Sequence, residues 1–161
     1  MKIFTITTED HFWEKLEKLL IDKTIISYQL PIEQSLECTW RLYINLDDGT
    51  RIEFFSEINS VDSWNEFGVL RINVLKIAKL SGVYVENKLS IPFNISSIGI
   101  IRYKDVNYAT ECGVEFKSND NGVVRIVSSP APGAISIDAF FNEGKYRPEF
   151  LLEHCEVMSP S

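Results

Sequence analysis

The stretch Trp40–Phe55, WRLYINLDDGTRIEFF, holds two alternating apolar runs that meet at an Asp-Asp-Gly turn. Trp40, Leu42, Ile44 and Leu46 alternate with Arg41, Tyr43 and Asn45, the period of two that marks a strand with one buried face. Ile52 and Phe54 do the same on the return. Parity decides how the arms pair, because a slip of one residue moves every side chain to the other face. A two-residue Asp48-Gly49 loop would set Ile44 against Glu53 and Leu46 against Arg51. A three-residue loop of Asp47, Asp48 and Gly49, with Gly49 left-handed in a bulge, pairs Leu46 with Thr50, Ile44 with Ile52 and Leu42 with Phe54. This second register keeps the large apolar residues together and is the one expected.

Outward from this hairpin the chain reads as one domain of short strands behind a single helix. Lys2 to Thr5 forms a strand, and Thr7 or Thr8 caps a helix through Glu9, Asp10, Phe12, Trp13, Leu16, Leu19 and Leu20, whose apolar residues recur at helical spacing. Thr24 to Leu30 is a strand ended by Pro31. Ser56 to Phe67 reads as an irregular acidic loop carrying Trp64. Leu70, Ile72 and Val74 alternate like a strand, while Leu75, Ile77, Ala78 and Leu80 fit a helix equally; a strand over Val69 to Ala78 is favoured. Val83–Val85 and Leu89–Ile91 suggest a small hairpin over Glu86, Asn87 and Lys88, with Pro92 confining the second arm to an edge. Ile98 to Tyr103 is β-rich. A second hairpin turns at Asp120, Asn121 and Gly122, pairing Phe116 with Ile126. SSPAPG, Ser128 to Gly133, turns the chain into a strand from Ala134 to Ala139 with Ile135 and Ile137 inward. Glu149 to Val157 is a helical turn or an edge strand. The expectation is an α+β domain spanning residues 1–161: an N-terminal helix on a mostly antiparallel, hairpin-connected sheet or half-barrel of seven to nine strands.

The 161 residues carry a net charge of −7 and are 45% hydrophobic, enough for a substantial core. Such a balance argues against nucleic acid as a partner, since phosphate contacts need clustered Lys and Arg. No long apolar run or basic leader suggests a membrane or export, so the cytosol is the expected compartment. Without export the Asn94-Ile95-Ser96 glycosylation match is idle. Cys38, Cys112 and Cys155 are odd in number and widely spaced, which reads as three unpaired thiols without a metal. From Pro31 to Leu70 eight acids stand against Arg41 and Arg51, a net of −6, so nearly all the excess negative charge sits in one quarter of the chain.

No Gly-x-Ser-x-Gly, P-loop or dinucleotide fingerprint occurs, and no cofactor is implied. Cys112 with His154 as base is a conceivable nucleophile pair, but a small buried thiol beside Gly113 is the plainer reading. Zinc lacks a Cys-x-x-Cys pair. Asp47, Asp48, Glu53 and Glu57 supply carboxylates for glycosidase-like chemistry in number only. The acidic segment suits binding better: exposed carboxylates speed encounter with a basic partner and a central aromatic anchors it. Asp47, Asp48, Glu53, Glu57, Asp62, Trp64 and Glu66 are therefore the candidate contact residues.

The segments LDDGTRIEFFSEINSV, ECGVEFKSNDNGVVRIVSSPAPGAISID and YRPEFLLEHCE resemble small bacterial proteins similar to the immunity partners of polymorphic or contact-dependent toxins. Phe150 stands where that tail pattern has tyrosine. The resemblance implies a non-catalytic, acidic cytoplasmic protein that neutralises a cognate basic toxin domain, such as a nuclease, and assigns no functional residue. The competing expectation is a small-molecule-binding domain or small hydrolase with its site between helix and sheet.

Overall fold

The computed structural model of the chain describes residues 1–62, 65–75 and 83–160. The described strands are β1 (Lys2–Phe4), β2 (Thr24–Pro31), β3 (Leu42–Leu46), β4 (Arg51–Ser60), β5 (Glu66–Leu75), β6 (Tyr84–Asn94), β7 (Ser97–Lys104), β8 (Tyr108–Lys117), β9 (Val123–Ser128), β10 (Ile135–Asp138) and β11 (Cys155–Met158). One α-helix, α1 (Phe12–Leu20), and a 3-10 turn, Leu152–His154, complete the described elements. The strands form a five-stranded sheet, β5-β4-β3-β2-β6, and a six-stranded sheet, β10-β9-β8-β7-β11, with β1 parallel to β8. All other pairs are antiparallel. The α+β class and the mostly antiparallel pairing stand; the seven to nine strands expected in one sheet or half-barrel are, among the described residues, eleven strands in two sheets that close no barrel.

One core is shared by both sheets. Leu42, Ile44, Ile52, Phe54 and Ile72 come from the first, and Ile100, Val114, Phe116, Ile126 and Ile137 from the second. Phe54 and Phe116 meet edge-on with ring centroids 6.2 Å apart. The helix adds Leu16 and Leu20 to the same core, while Leu19 is partly exposed. Its start is later than expected: His11, at φ 61°, precedes the first helical residue, and Thr7 instead accepts a hydrogen bond from the Glu9 N–H.

The central hairpin has the expected register, with Leu42 opposite Phe54 and Ile44 opposite Ile52. Leu46 donates to Thr50 O at 2.9 Å, and Gly49 holds φ 89°. Trp40 is the exception. It lies before β3 and is 63% exposed, because the chain between Ser35 and Arg41 is held by Thr39 bonding to Ile135 rather than by the hairpin. In the second hairpin Phe116 faces Val124 and Val114 faces Ile126, so the pairing is offset from the expected one while the apolar face is unchanged. Here Asn121, at φ 68°, takes the left-handed position. Gly122 is wanted for room, since a Cβ there would stand 2.6 Å from Ser118 Oγ and 3.1 Å from the Phe93 ring.

Two further expectations are corrected. Ser56–Ser60 and Glu66–Phe67 are strand and not irregular loop: β4 and β5 pair continuously from Arg51–Leu75 to Ser60–Glu66. Phe67 and Val69 are buried there against Tyr108 and Phe4, contacts that local sequence does not announce. Nor do Val83–Val85 and Leu89–Ile91 form a hairpin; Tyr84, Val85 and Leu89–Ile91 belong to one strand, β6, which pairs with β2, and Val83 lies just before it. The register jumps from Ile25–Phe93 to Ser27–Lys88, leaving the β6 residues between them outside the ladder. Pro92, without an N–H, sits in that irregular stretch of an edge strand, as its chemistry requires. Of the Val69–Ala78 strand, β5 covers the part to Leu75, and the rest, with Leu80, lies outside the described residues.

Candidate partner-binding surface

The acids singled out in sequence are dispersed by the fold. Asp47 and Asp48 sit at the β3–β4 turn, where Asp47 accepts from the Thr24 N–H at 3.2 Å and Asp48 pairs with Lys23 at 3.4 Å. Asp62 and Glu66 are exposed at the opposite end of the β4–β5 hairpin, and Asp62 accepts from the Asn65 N–H at 2.9 Å. At about 3.4 Å per residue, the ten residues of β4 separate the two pairs by roughly 30 Å. Glu57 lies between them, exposed and paired with Arg71 at 3.0 Å. Trp64 lies outside the described residues.

Glu53 is a structural acid and is corrected as a contact residue. It is 7% exposed, and its carboxylate accepts from Arg41 and the Tyr43 hydroxyl at 2.8 Å each and from Asn73 at 2.9 Å. Burial pushes its pKa up, but bonds from Asn73, Tyr43 and Arg41 outweigh this and hold it below the ordinary value. Cross-strand pairing explains the arrangement: Glu53 faces Tyr43 on one neighbour and Asn73 on the other.

The Cys112–His154 pairing is not assembled. Cys112 is buried with its thiol 3.7 Å from Ile101 O, whereas His154 is exposed beside Glu153 at 3.8 Å. Among the described residues no cluster of His, Cys, Asp or Glu is placed to hold a metal, and no helix is long and apolar enough to cross a membrane. The cleft between helix and sheet, about 310 Å³, is walled by Phe12, Leu16, Ile72 and Val74. Its polar side chains are already engaged, Glu9 with Lys15 at 3.6 Å and Asn73 with Glu53.

A different surface gathers acids and aromatics. After β10 the chain runs Ala139-Phe140-Phe141-Asn142-Glu143-Gly144, and the two rings stand edge-on, 5.1 Å apart. Phe141 turns inward and stacks on Tyr28 at 5.4 Å. Phe140 turns outward and is 53% exposed. Each ring lines its own cavity. Phe140 borders one of about 550 Å³ with Ile91, Pro92 and Phe93 of β6 and Ser118 and Asp120 of the β8–β9 turn. The β6 irregularity places Ile91 here, 65% exposed. Phe141 borders one of about 390 Å³ with Tyr28, Val85, Asn87, Glu33 and Glu143.

Both cavities are acidic. Asp120 lines the first and Glu33 and Glu143 the second, and among the described residues no Lys or Arg lines either. Asp120 is held below the ordinary carboxylate range by the Ser118 hydroxyl and the Gly122 N–H, so it carries charge at neutral pH. Burial, then the charge of Glu143, raises the Tyr28 phenol and keeps it protonated. Behind the second cavity Glu37 joins the two loops, accepting from the Lys145 N–H at 2.8 Å and pairing with Arg147 at 3.1 Å. The Lys145 N–H and the Arg147 side chain lower its pKa, so this clasp is closed at neutral pH.

Sequence reading passed over this surface because its parts are remote in the chain. The one local signal was the Phe140-Phe141 pair beside an Asn-Glu-Gly turn, where alternation stops and one ring has to face outward. No family model, no curated protein and no solved structure matches the chain.

Proposed function

We propose that the chain is a non-catalytic binding domain for a basic protein partner, acting as an immunity protein acts on its toxin, with the Phe140–Phe141 surface as its contact. The observation that carries this reading is the pair of cavities flanking two aromatic rings and lined, among the described residues, by three carboxylates and no basic side chain. Lys and Arg combine an apolar stem with a charged head, so partner side chains of this kind can bury their stems against Phe140 and Ile91 and meet Asp120, Glu33 or Glu143 with their heads. An exposed aromatic beside desolvated pockets is also the usual form of an interface hot spot. The toxin class is the finer part of the proposal and draws on the resemblance of the tail and hairpin segments; a nuclease that binds phosphate would present the required basic surface.

The test is binding between the purified chain and the basic domain encoded beside its gene. Charge reversal at Glu33 and Glu143 should slow association and flatten its salt dependence, and Phe140→Ala should speed dissociation tenfold or more. Variants that melt like the parent and bind unchanged would remove this surface from the interface. A second reading is favoured by the larger cavity alone, whose 550 Å³ is within the range of small-molecule sites. A cationic amphiphile that raises the melting temperature of the parent but not of Asp120→Asn would support it.

A further inference from the structure

The edge strand β6 leaves one side of its backbone unused. Among the described residues it pairs with β2 alone, at the end of the five-stranded sheet. Val83 O accepts from the Ile32 N–H at 2.7 Å, so in the alternation of an antiparallel ladder Val83, Val85 and Asn87 direct their N–H and C=O groups at β2. Pro31, which has no N–H, stands opposite Tyr84 in the intervening position, as that phase requires. Tyr84, Glu86 and Lys88 therefore turn theirs outward, away from the sheet. Side chains alternate as well. Val85 and Asn87 line the cavity beside Phe141 and Leu89 packs on the core, whereas Tyr84 meets Tyr43 edge-on across the outer face, with centroids 5.1 Å apart. Val83 and Val85 are exposed at this edge.

A free edge of this kind is a template for one more strand, and the order of its residues selects which. We propose that the chain forms a two-fold homodimer in which β6 pairs antiparallel with β6 of a second copy about Asn87, joining the two five-stranded sheets into one. In this register Glu86 stands opposite the partner's Lys88, Lys88 opposite the partner's Glu86, Val85 opposite the partner's Leu89, and Asn87 opposite its own copy. Glu86 and Lys88 are also residues whose backbone faces outward, so each opposed pair exchanges both of its hydrogen bonds. Apolar side chains continue the inner face and opposite charges meet on the outer one.

Other registers lose one or the other. Centring on Glu86 or Lys88 sets like charges face to face, centring on Val85 or Leu89 leaves both charges unmatched, and a slip of one residue joins the inner face of one sheet to the outer face of the other. The two charges are available for the pairing: none of the ion pairs among the described residues uses Glu86 or Lys88. The Ser27 hydroxyl donates to Glu86 Oε1 at 3.1 Å and holds that carboxylate on the outer face. Pro92, in the irregular end of β6, cannot donate and ends the added ladder. Because the two-fold uses the same edge in both copies, the contact closes at a dimer. Val85 and Asn87 border the Phe141 cavity, so pairing sets the two copies of that cavity beside each other, but the dimer does not depend on what the surface binds.

The experiment is sedimentation equilibrium of the purified chain over about 1–300 μM, a range that captures a short interface. The expected result is a reversible species of twice the 18.5 kDa chain mass. Glu86→Lys and Lys88→Glu each oppose like charges in both pairs and should weaken self-association at least tenfold. Mixed together, the two variants should form a heterodimer, because each supplies the charge the other lacks, and the double variant Glu86→Lys/Lys88→Glu should self-associate like the parent. In a Cys38→Ser background, Asn87→Cys should cross-link to its own copy on mild oxidation and Val85→Cys should not. Where a charge reversal lowers the melting temperature, the Asn87→Cys cross-link carries the test. A chain that stays monomeric at the highest concentration overturns the proposal, as do a dimer indifferent to both reversals and folded variants that do not associate when mixed.

Discussion

Removing the Glu149 carboxylate should loosen the joint between the two sheets. One of its oxygens, Oε1, accepts from the Gly68 N–H of edge strand β5 and from the Ser128 hydroxyl of β9, each at 2.9 Å, while its own N–H donates to Ser128 O at 2.8 Å. Glu149→Ala strands two donors in a largely buried place. At about 1–3 kcal/mol for each, less what is regained by no longer desolvating a carboxylate, the expected loss is about 2–4 kcal/mol at neutral pH. For a chain of this size that is a melting temperature lowered by roughly 4–16 °C. Glu149→Gln keeps an acceptor and discards the charge, and its behaviour with pH is the sharper test. Burial raises the folded-state pKa of Glu149 above 4.5, against the lowering effect of Gly68 and Ser128. The folded state then holds the proton more tightly than the unfolded state does. Stability associated with the protonated carboxyl is complete below the ordinary value and declines as pH rises through the raised one. Urea midpoints across pH 4 to 7 should therefore show Glu149→Gln gaining on the parent as pH rises. An Ala variant within about 0.5 kcal/mol of the parent, or a Gln difference independent of pH, would refute the account.

The acid limb of the same curve has the opposite origin: Glu53 and Glu57 are both held low, so the stability they contribute is present above 4.5 and lost as pH falls, and Glu53→Gln should flatten this limb in acid titrations of stability. Glu53→Ala leaves Arg41, Tyr43 and Asn73 without their common acceptor and should cost about 2–4 kcal/mol by urea denaturation, with a coupling to Tyr43→Phe of about 1 kcal/mol in a double-mutant cycle. At the two turns, Gly49→Ala should cost about 1 kcal/mol for its positive φ and Gly49→Asn distinctly less. At Gly122 the order should reverse, Asn being worse than Ala, because space beside Ser118 and Phe93 is what is short there.

Legibility of the fold followed the range of the forces that decide each element. The register of the central hairpin was readable because Leu42, Ile44, Ile52 and Phe54 carry it within a few residues, and the wrong parity would have buried Glu53 and Arg51 with them. The second hairpin offered two residues able to turn left-handed, Asn121 and Gly122. The choice between them was made by Ser118 and by Phe93 from the other sheet, so the face was legible and the offset was not. Polar Ser56, Asn59 and Ser60 looked like loop, yet β4 keeps its ladder with β5, and Phe67 beyond it finds Tyr108 stacked at 4.1 Å. That partner belongs to a strand far along the chain. In β6 the interruption was visible as Pro92 and polar residues; that it is an irregularity within one strand depended on β2 pairing with both of its ends.

The dispersal of the candidate contact acids shows how charge is sorted by a sheet. A run of acids close in sequence is drawn out at more than 3 Å per residue once it becomes strand, and alternate members turn to opposite faces, so Asp47 and Glu66 end far apart while Glu53 is turned into a network of its own. Turns do the converse. Glu33, Asp120 and Glu143 each lie in or beside a connection, and the stacking of two sheets brings those connections to the flanks of Phe140 and Phe141. These turns leave carboxylates near apolar walls without a basic neighbour among the lining residues, whereas the strand acids Glu53, Glu57, Glu111 and Glu115 all have an arginine within 3.0 Å. Charge already neutralised by a neighbour has little left to offer a partner. The carboxylates around the two phenylalanines have no such arginine among the described lining residues, and that difference is what supports proposing the loops as the contact surface.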